Sequence, residues 1–173
     1  MASLRAVPVG AFRVRPATAA DGPGLFGAWQ RAREHNASID RRIVPVPISQ
    51  REFIADFEQM LERKTSAAFV AEAGERLVGF ISGGVEVNQP DRLPQRHATI
   101  GYLYVDEDYR RRGIARALFE AVAAWAQQVD GVSHFEMTVI TADEAAAAFW
   151  RSIGFSPFIS RLWAPLSAPE QDA

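Results

Sequence analysis

The chain has 173 residues, a formal net charge of -2, 48% hydrophobic residues and 23% charged residues. That size and balance fit one compact domain spanning residues 1–173, with enough apolar side chains for a buried core. The near-neutral charge gives no global case for nucleic acid or an anionic membrane as partner. With no cysteine in the chain, disulfides, thiolate metal sites and cysteine nucleophiles are excluded together, and no metal site is expected. Residues 1–10 lack the apolar core of a signal peptide, and no run approaches the ~18 apolar residues of a membrane span. A cytoplasmic location is therefore expected.

Residues 1–10 and 167–173 are unpatterned and read as loose ends. Between them, Phe12-Arg13-Val14-Arg15 alternates apolar and polar and reads as a half-buried strand. Thr18 and Asp21 have the spacing of a capping box and open a helix to about Glu34, weakened by Gly22, Pro23, Gly24 and Gly27. Residues 35–48 read as a loop. Ser49 and Glu52 form a second capping box, opening a helix with Phe53, Phe57, Met60 and Leu61 on one face. Residues 67–73 and 76–87 read as a hairpin about Gly74-Glu75, and 98–105 as a further strand. In residues 113–128, Ile114, Ala117, Leu118, Ala121, Val122 and Trp125 recur at helical spacing. Residues 132–140 read as a strand, 143–152 as a helix capped by Asp143, and 155–165 as one or two closing strands. Such alternation predicts an α/β domain built on a mixed sheet with helices on both faces.

The junction between the strand at 98–105 and the helix at 113–128 carries the chemistry. It reads Arg110-Arg111-Arg112-Gly113-Ile114-Ala115-Arg116. The first turn of a helix offers backbone N–H groups without intrahelical partners, and the helix dipole adds partial positive charge. A phosphate placed there gains several hydrogen bonds, and Gly113 and Ala115 let the backbone approach it closely. A solvated basic helix start is the plainer alternative. Nucleic-acid binding needs a wider basic face, and a Walker-type loop is excluded because no Gly-Lys-Ser/Thr follows.

The segment from Leu103 to Leu118 resembles the acetyl-CoA-binding motif of the GCN5-related N-acetyltransferase (GNAT) superfamily, Arg/Gln-x-x-Gly-x-Gly/Ala after an apolar-alternating strand. Residues 146–155, which include Phe149, Trp150, Gly154 and Phe155, resemble that family's late helix ending in Gly-Phe. The resemblance covers roughly residues 12–166. It implies a mostly antiparallel mixed sheet, splayed where acetyl-CoA binds. The backbone of residues 111–116 would hold the pyrophosphate, and the strand edge at Leu103 and Val105 would pair with the pantetheine amides like an added strand. The strand near residues 138–140 would splay away, and an N–H near Val105 would donate to the thioester carbonyl. Asp143, Phe149 and Trp150 would complete the cofactor-binding set, beside Tyr104, Arg110 and Arg112.

The sequence departs from the family pattern in three places. Trp150 occupies the late-helix position where many members carry tyrosine, and an indole N–H is no proton source near neutral pH. Tyr104 or water is left as the acid for the departing thiolate. Asp143 stands where asparagine is usual. Thr99 stands where some members place a basic glutamate, so the base is sought at His97, with Glu34, His35 and Glu86 as alternatives. Arg41 and Arg42 lie in the loop that borders the acceptor site in this family and would favour an acidic acceptor, or are simply solvated. Trp29, Phe53, Phe57, Trp125 and Phe135 read as core, and Trp163 as core or a homodimer contact.

The expected function is therefore N-acetyl transfer from acetyl-CoA to an amine of a small molecule or peptide, by direct attack in a ternary complex. A non-catalytic acyl-CoA-binding or regulatory module on the same fold is the alternative. Nucleic-acid binding through Arg110, Arg111 and Arg112 would instead give steeply salt-dependent affinity.

Overall fold

In the computed structural model the described residues are 11–166. The two segments read as loose ends, 1–10 and 167–173, lie outside them. The described residues form a five-stranded sheet in the order β1-β2-β3-β4-β5. The strands are β1 Arg13–Pro16, β2 Ser66–Ala73, β3 Arg76–Val87, β4 Arg96–Val105 and β5 Val132–Phe135. The helices are α1 Gly22–Ile39, α2 Gln50–Glu62, α3 Ile114–Ala126 and α4 Glu144–Ser152. The first four strands pair antiparallel and β5 joins β4 in parallel, so the expected mixed, mostly antiparallel sheet is present.

Helices cover both faces. On one, Leu25, Ala28 and Ala32 of α1 and Phe57 of α2 pack against Val70, Phe80 and Tyr104. On the other, Ile114, Leu118 and Val122 of α3 and Trp150 of α4 pack against Ala71, Val78, Ile81 and Val105. Alternation along β4 explains the division, since successive side chains of a strand point to opposite faces: Tyr102 and Tyr104 join the α1 side, Leu103 and Val105 the α3 side.

Both capping boxes form. Ser49 Oγ accepts from Glu52 N at 3.2 Å while the Glu52 carboxylate accepts from Ser49 N at 2.8 Å. Asp21 accepts from Thr18 N at 2.7 Å. The glycines of α1 serve packing: a Cβ at Gly22 would come within 3.2 Å of Ile54, and one at Gly24 within 3.1 Å of Leu77.

Three boundaries differ from the sequence reading. First, α1 runs on to Ile39 rather than stopping near Glu34, so residues 35–39 are helical instead of loop. Extending a nucleated helix adds a hydrogen bond per residue fixed, and the polar run after Glu34 hides this extension because it shows no apolar period. Second, β5 ends at Phe135 rather than residue 140. Its last link to β4 is Glu136 N donating to Ala98 O at 2.9 Å. β4 also carries a bulge, where Gly83 pairs with Ile100 and Ser82 with Tyr102, leaving Gly101 as an extra residue. Such a bulge bends and twists the strand, here stabilised by Tyr102 N donating to Ser82 Oγ at 3.2 Å. β4 and β5 part after Ala98 and Phe135, which is the expected splay. Third, residues 155–165 contain no strand. Pro157 and Pro165 remove ladder donors, and Phe158, Ile159, Leu162 and Trp163 remain exposed.

Candidate cosubstrate site

The turn after β4 is built by the backbone. Asp106 N donates to Val78 O at 2.8 Å, tying the strand end to β3. A short 3-10 turn, Glu107–Tyr109, follows. Arg111 then takes φ 62°, and Gly113 takes φ 83° as the N-cap of α3. The first intrahelical bond runs from Ala117 N to Gly113 O at 3.0 Å. The N–H groups of Ile114, Ala115 and Arg116 therefore precede the helical ladder and are available as donors. Left-handed backbone at 111 and 113 is the kind of turn from which anion nests are built. A left-handed non-glycine residue costs about 1–2 kcal/mol, and Arg111 carries that strain within this turn.

Three of the arginine side chains brace the turn. Arg110 Nε donates to Val105 O at 3.2 Å and Nη1 lies 3.5 Å from Glu107. Arg112 donates to Asp108 O at 2.6 Å and lies over the Tyr109 ring. Arg116 donates to Ser152 O at 3.4 Å, linking α3 to the end of α4. Their charge still adds to the local field.

Beside the turn runs the slot left by the parting strands. One wall is the edge of β4 over residues 99–105, where no β5 partner pairs with it. The opposite side holds α4, whose N-cap Asp143 accepts from Ala146 N at 2.9 Å. Trp150 is buried in an edge-to-face cluster with Phe119, Phe149 and Phe155, at centroid distances of 5.0–5.9 Å. It thus fills the core side of α4 with no hydroxyl available there. The second carboxylate oxygen of Asp143 lies 3.5 Å from His35 Nε2 of α1.

Tyr104 faces the other way. Its hydroxyl accepts from Arg31 Nε at 2.9 Å, and Asp106 accepts from Arg31 at 3.0 Å and Arg76 at 2.8 Å. The hydrogen bond to Tyr104 foremost, with Asp106 also contributing, raises the Arg31 pKa above its ordinary value despite partial burial. These groups line an open cleft of about 630 Å³ that also contains Glu34, His35 and Arg110. Arg31, Arg76 and Asp106 were not among the sequence candidates. Arg31 shares a polar stripe with Glu34 and His35 at helical spacing, but its partner on β4 is distant in the chain and leaves no local signal.

His97 sits at the opposite end of β4, about 25 Å from Val105 at ~3.3 Å per residue. It is buried, with Nε2 3.7 Å from Glu86 and Nδ1 without a partner. Its ring lies 5.9 Å from that of His134, whose Nε2 is 2.9 Å from Glu136. That contact first, and Arg92 next, hold the Glu136 carboxyl below its ordinary value. The structure thus brings Leu103, Val105, residues 110–116 and Asp143 around one slot and turn, with Phe149 and Trp150 packed into the adjoining core. It places His97 at the far end of the strand and the Tyr104 hydroxyl on the opposite face from Trp150. Arg42 pairs with Asp40 and lies over Trp163, 5.6 Å from its ring centroid. Among the described residues no group of three or more His, Asp or Glu side chains could hold a metal ion, and no helix is long and apolar enough to cross a membrane.

A splayed mixed sheet with an anion nest at the helix after its fourth strand defines an acetyltransferase-type fold. The model of the Acetyltransferase (GNAT) family matches residues 29–155, and the chain belongs to that family. It is 34% identical to human N-acetyltransferase 8 over 95 residues, 55% of this chain and 40% of that protein. The chain therefore spans less than half the length of this curated relative. Among solved structures, a mutant of the BH1408 protein from Bacillus halodurans superposes with a TM-score of 0.75 at 22% identity, covering 90% of this chain and 99% of that one. AAC(6')-Iy bound to a CoA-linked bisubstrate analogue gives a TM-score of 0.71 at 18% identity, covering 91% and 99%. At these identities the likeness establishes the shared fold.

Proposed function

We propose that the protein is an acetyl-CoA-dependent N-acetyltransferase acting on an amine of a small molecule or peptide. The observation that carries the reading is the junction of the β4–β5 slot with the backbone nest at residues 111–116. A linear amide-bearing arm ending in a pyrophosphate fits that combination: amides suit a free strand edge at Leu103 and Val105, and phosphate oxygens suit the helix start. The residues present therefore fit acetyl-CoA, with Tyr104, Arg110, Arg112, Asp143 and Phe149 around it and Trp150 packed behind them in the core.

The amine nitrogen would attack the thioester carbonyl carbon. A C–N bond forms, the C–S bond breaks, the amine gives up a proton and the thiolate takes one. Proximity and a backbone N–H at the developing oxyanion account for the catalysis. His97, the base expected from the sequence, lies about 25 Å along β4 from Val105 at ~3.3 Å per residue, beyond hydrogen-bond reach of an amine at the thioester; Glu34, which lines the cleft with Tyr104, is the proposed base in its place. Tyr104 is the proposed acid. Arg31 donates to its oxygen, so the phenol proton remains free to be donated into the cleft. N-acetyltransferase 8 and the CoA-analogue complex of AAC(6')-Iy support acyl transfer from CoA.

The test is isothermal calorimetry with CoA, followed by thiol release from acetyl-CoA across an amine panel. CoA binding and amine-dependent thiol release are expected. An absence of CoA binding overturns the reading. CoA binding without transfer would favour an acyl-CoA-binding or regulatory module, the alternative supported by the buried indole of Trp150 where a hydroxyl would serve as acid.

A further inference from the structure

His35 and Asp143 belong to helices packed on opposite faces of the sheet. The core contacts of α1 lie on one side and those of α4 on the other. Two such side chains can meet only round an edge or through a gap. The gap is the slot where β4 and β5 part, and His35 Nε2 spans to Asp143 Oδ2 at 3.5 Å. We propose that this pair is a latch across the cosubstrate slot, strengthened when His35 is protonated, and that it must open for the pantetheine arm to enter. The inference rests on the acetyl-CoA reading above and adds a gate to it.

The charges facing His35 favour this pairing. On its own helix are Arg31 and Glu34. From the ends of β3 and β4 come Arg76, Tyr104 and Asp106, with both arginines donating to Asp106. From the turn come Glu107, Asp108 and Arg110, the first and last paired at 3.5 Å. From α4 come Asp143 and the adjacent Glu144. With Asp106 and Glu107 already bonded to arginine, Glu34, Asp108 and Asp143 remain to attract an imidazolium, and of these Asp143 lies within ion-pair distance. Its other oxygen is committed to the cap of α4, so the latch is anchored to a fixed helix end. His35 is half exposed, which lets solvent pH reach it directly.

The experiment is CoA binding by calorimetry at pH 5.5 and pH 8 for the wild type, His35→Gln and Asp143→Asn. Glutamine on an exposed helix position and asparagine at an N-cap are both tolerated, so the variants fold. The 3′-phosphate of CoA itself titrates near pH 6, about where a phosphate monoester does. The informative quantity is therefore the difference in pH dependence between wild type and variants. Wild-type affinity should weaken at pH 5.5 by roughly threefold more than that of either variant, the size expected for one partly exposed ion pair. The same pH slope in wild type and His35→Gln overturns the latch while leaving the acetyl-CoA reading intact. Absence of CoA binding at either pH overturns both.

Discussion

Gly113 holds φ 83° at the N-cap of α3, and a Cβ added there would meet nothing within 4 Å. Substitution therefore acts through the backbone alone. Gly113→Ala should cost about 1–2 kcal/mol of stability from the left-handed conformation, read by urea denaturation. It should also weaken CoA binding, because any relaxation of that φ re-aims the N–H groups of the nest. Gly79 poses the opposite problem. Its added Cβ would lie 2.9 Å from Tyr104 O, which is β4 backbone and cannot rotate away. Gly79→Ala should force β3 and β4 apart and destabilise by about 1–3 kcal/mol; an unchanged urea midpoint would contradict the close approach. Trp150 is a third case. Buried among three phenylalanine rings, it should cost roughly 3–5 kcal/mol when truncated to alanine, measurable as a large fall in Tm before any loss of activity is interpreted.

Elements are joined by contacts of a different kind. Arg15 of β1 donates to Asp21 at the start of α1 at 2.7 and 2.8 Å and to Glu72 of β2. The hydrogen bond from Arg15 is the main reason the Asp21 carboxyl falls from its ordinary 3.8 to about 2, and Glu72 is lowered by the same guanidinium. A folded pKa below the unfolded one contributes stability that is complete above about pH 4 and vanishes as pH falls through 2. Asp21→Asn should therefore lower stability by about 2 kcal/mol at pH 7, with the difference from wild type closing towards pH 2 in an acid titration of Tm. That joint illustrates what the sequence could reveal. The Thr18–Asp21 and Ser49–Glu52 boxes, the hairpin at Gly74, the amphipathic α3 and the Asp143 cap are written in neighbouring residues, so their elements were legible. The end of β5 was not, because it depends on where its pairing with β4 stops, after Ala98 and Phe135. The tail at 155–165 misled for a related reason: its apolar residues suit a strand, but a strand needs an edge to pair with. At the site, Gly113 marked the start of α3, while the Arg31–Tyr104–Asp106 network and the His35–Asp143 contact join residues far apart in the chain.

At the scale of the whole molecule the sheet divides two packed layers, and the slot between β4 and β5 is where they communicate. One core holds α1 and α2, the other α3 and α4. The β4 edge has ladder partners on only one side over residues 99–105, so the amides there that point away from β3 are exposed to exchange in the free protein. A pantetheine arm laid along that edge would occupy them as an added strand, and a pyrophosphate would occupy the amides of residues 111–116. Hydrogen exchange with and without CoA should therefore show new protection in two stretches, 103–105 and 111–116, with a smaller change at the first turn of α4 beside Asp143. The β1–β2 pair and α2, which lie across the α1-side core from the slot, should exchange at unchanged rates. Protection spread evenly over both layers would instead point to global stabilisation by mass action. Protection at 111–116 without any at 103–105 would mean that the nest grips an anion while the slot stays empty, and the strand-addition mode would be wrong.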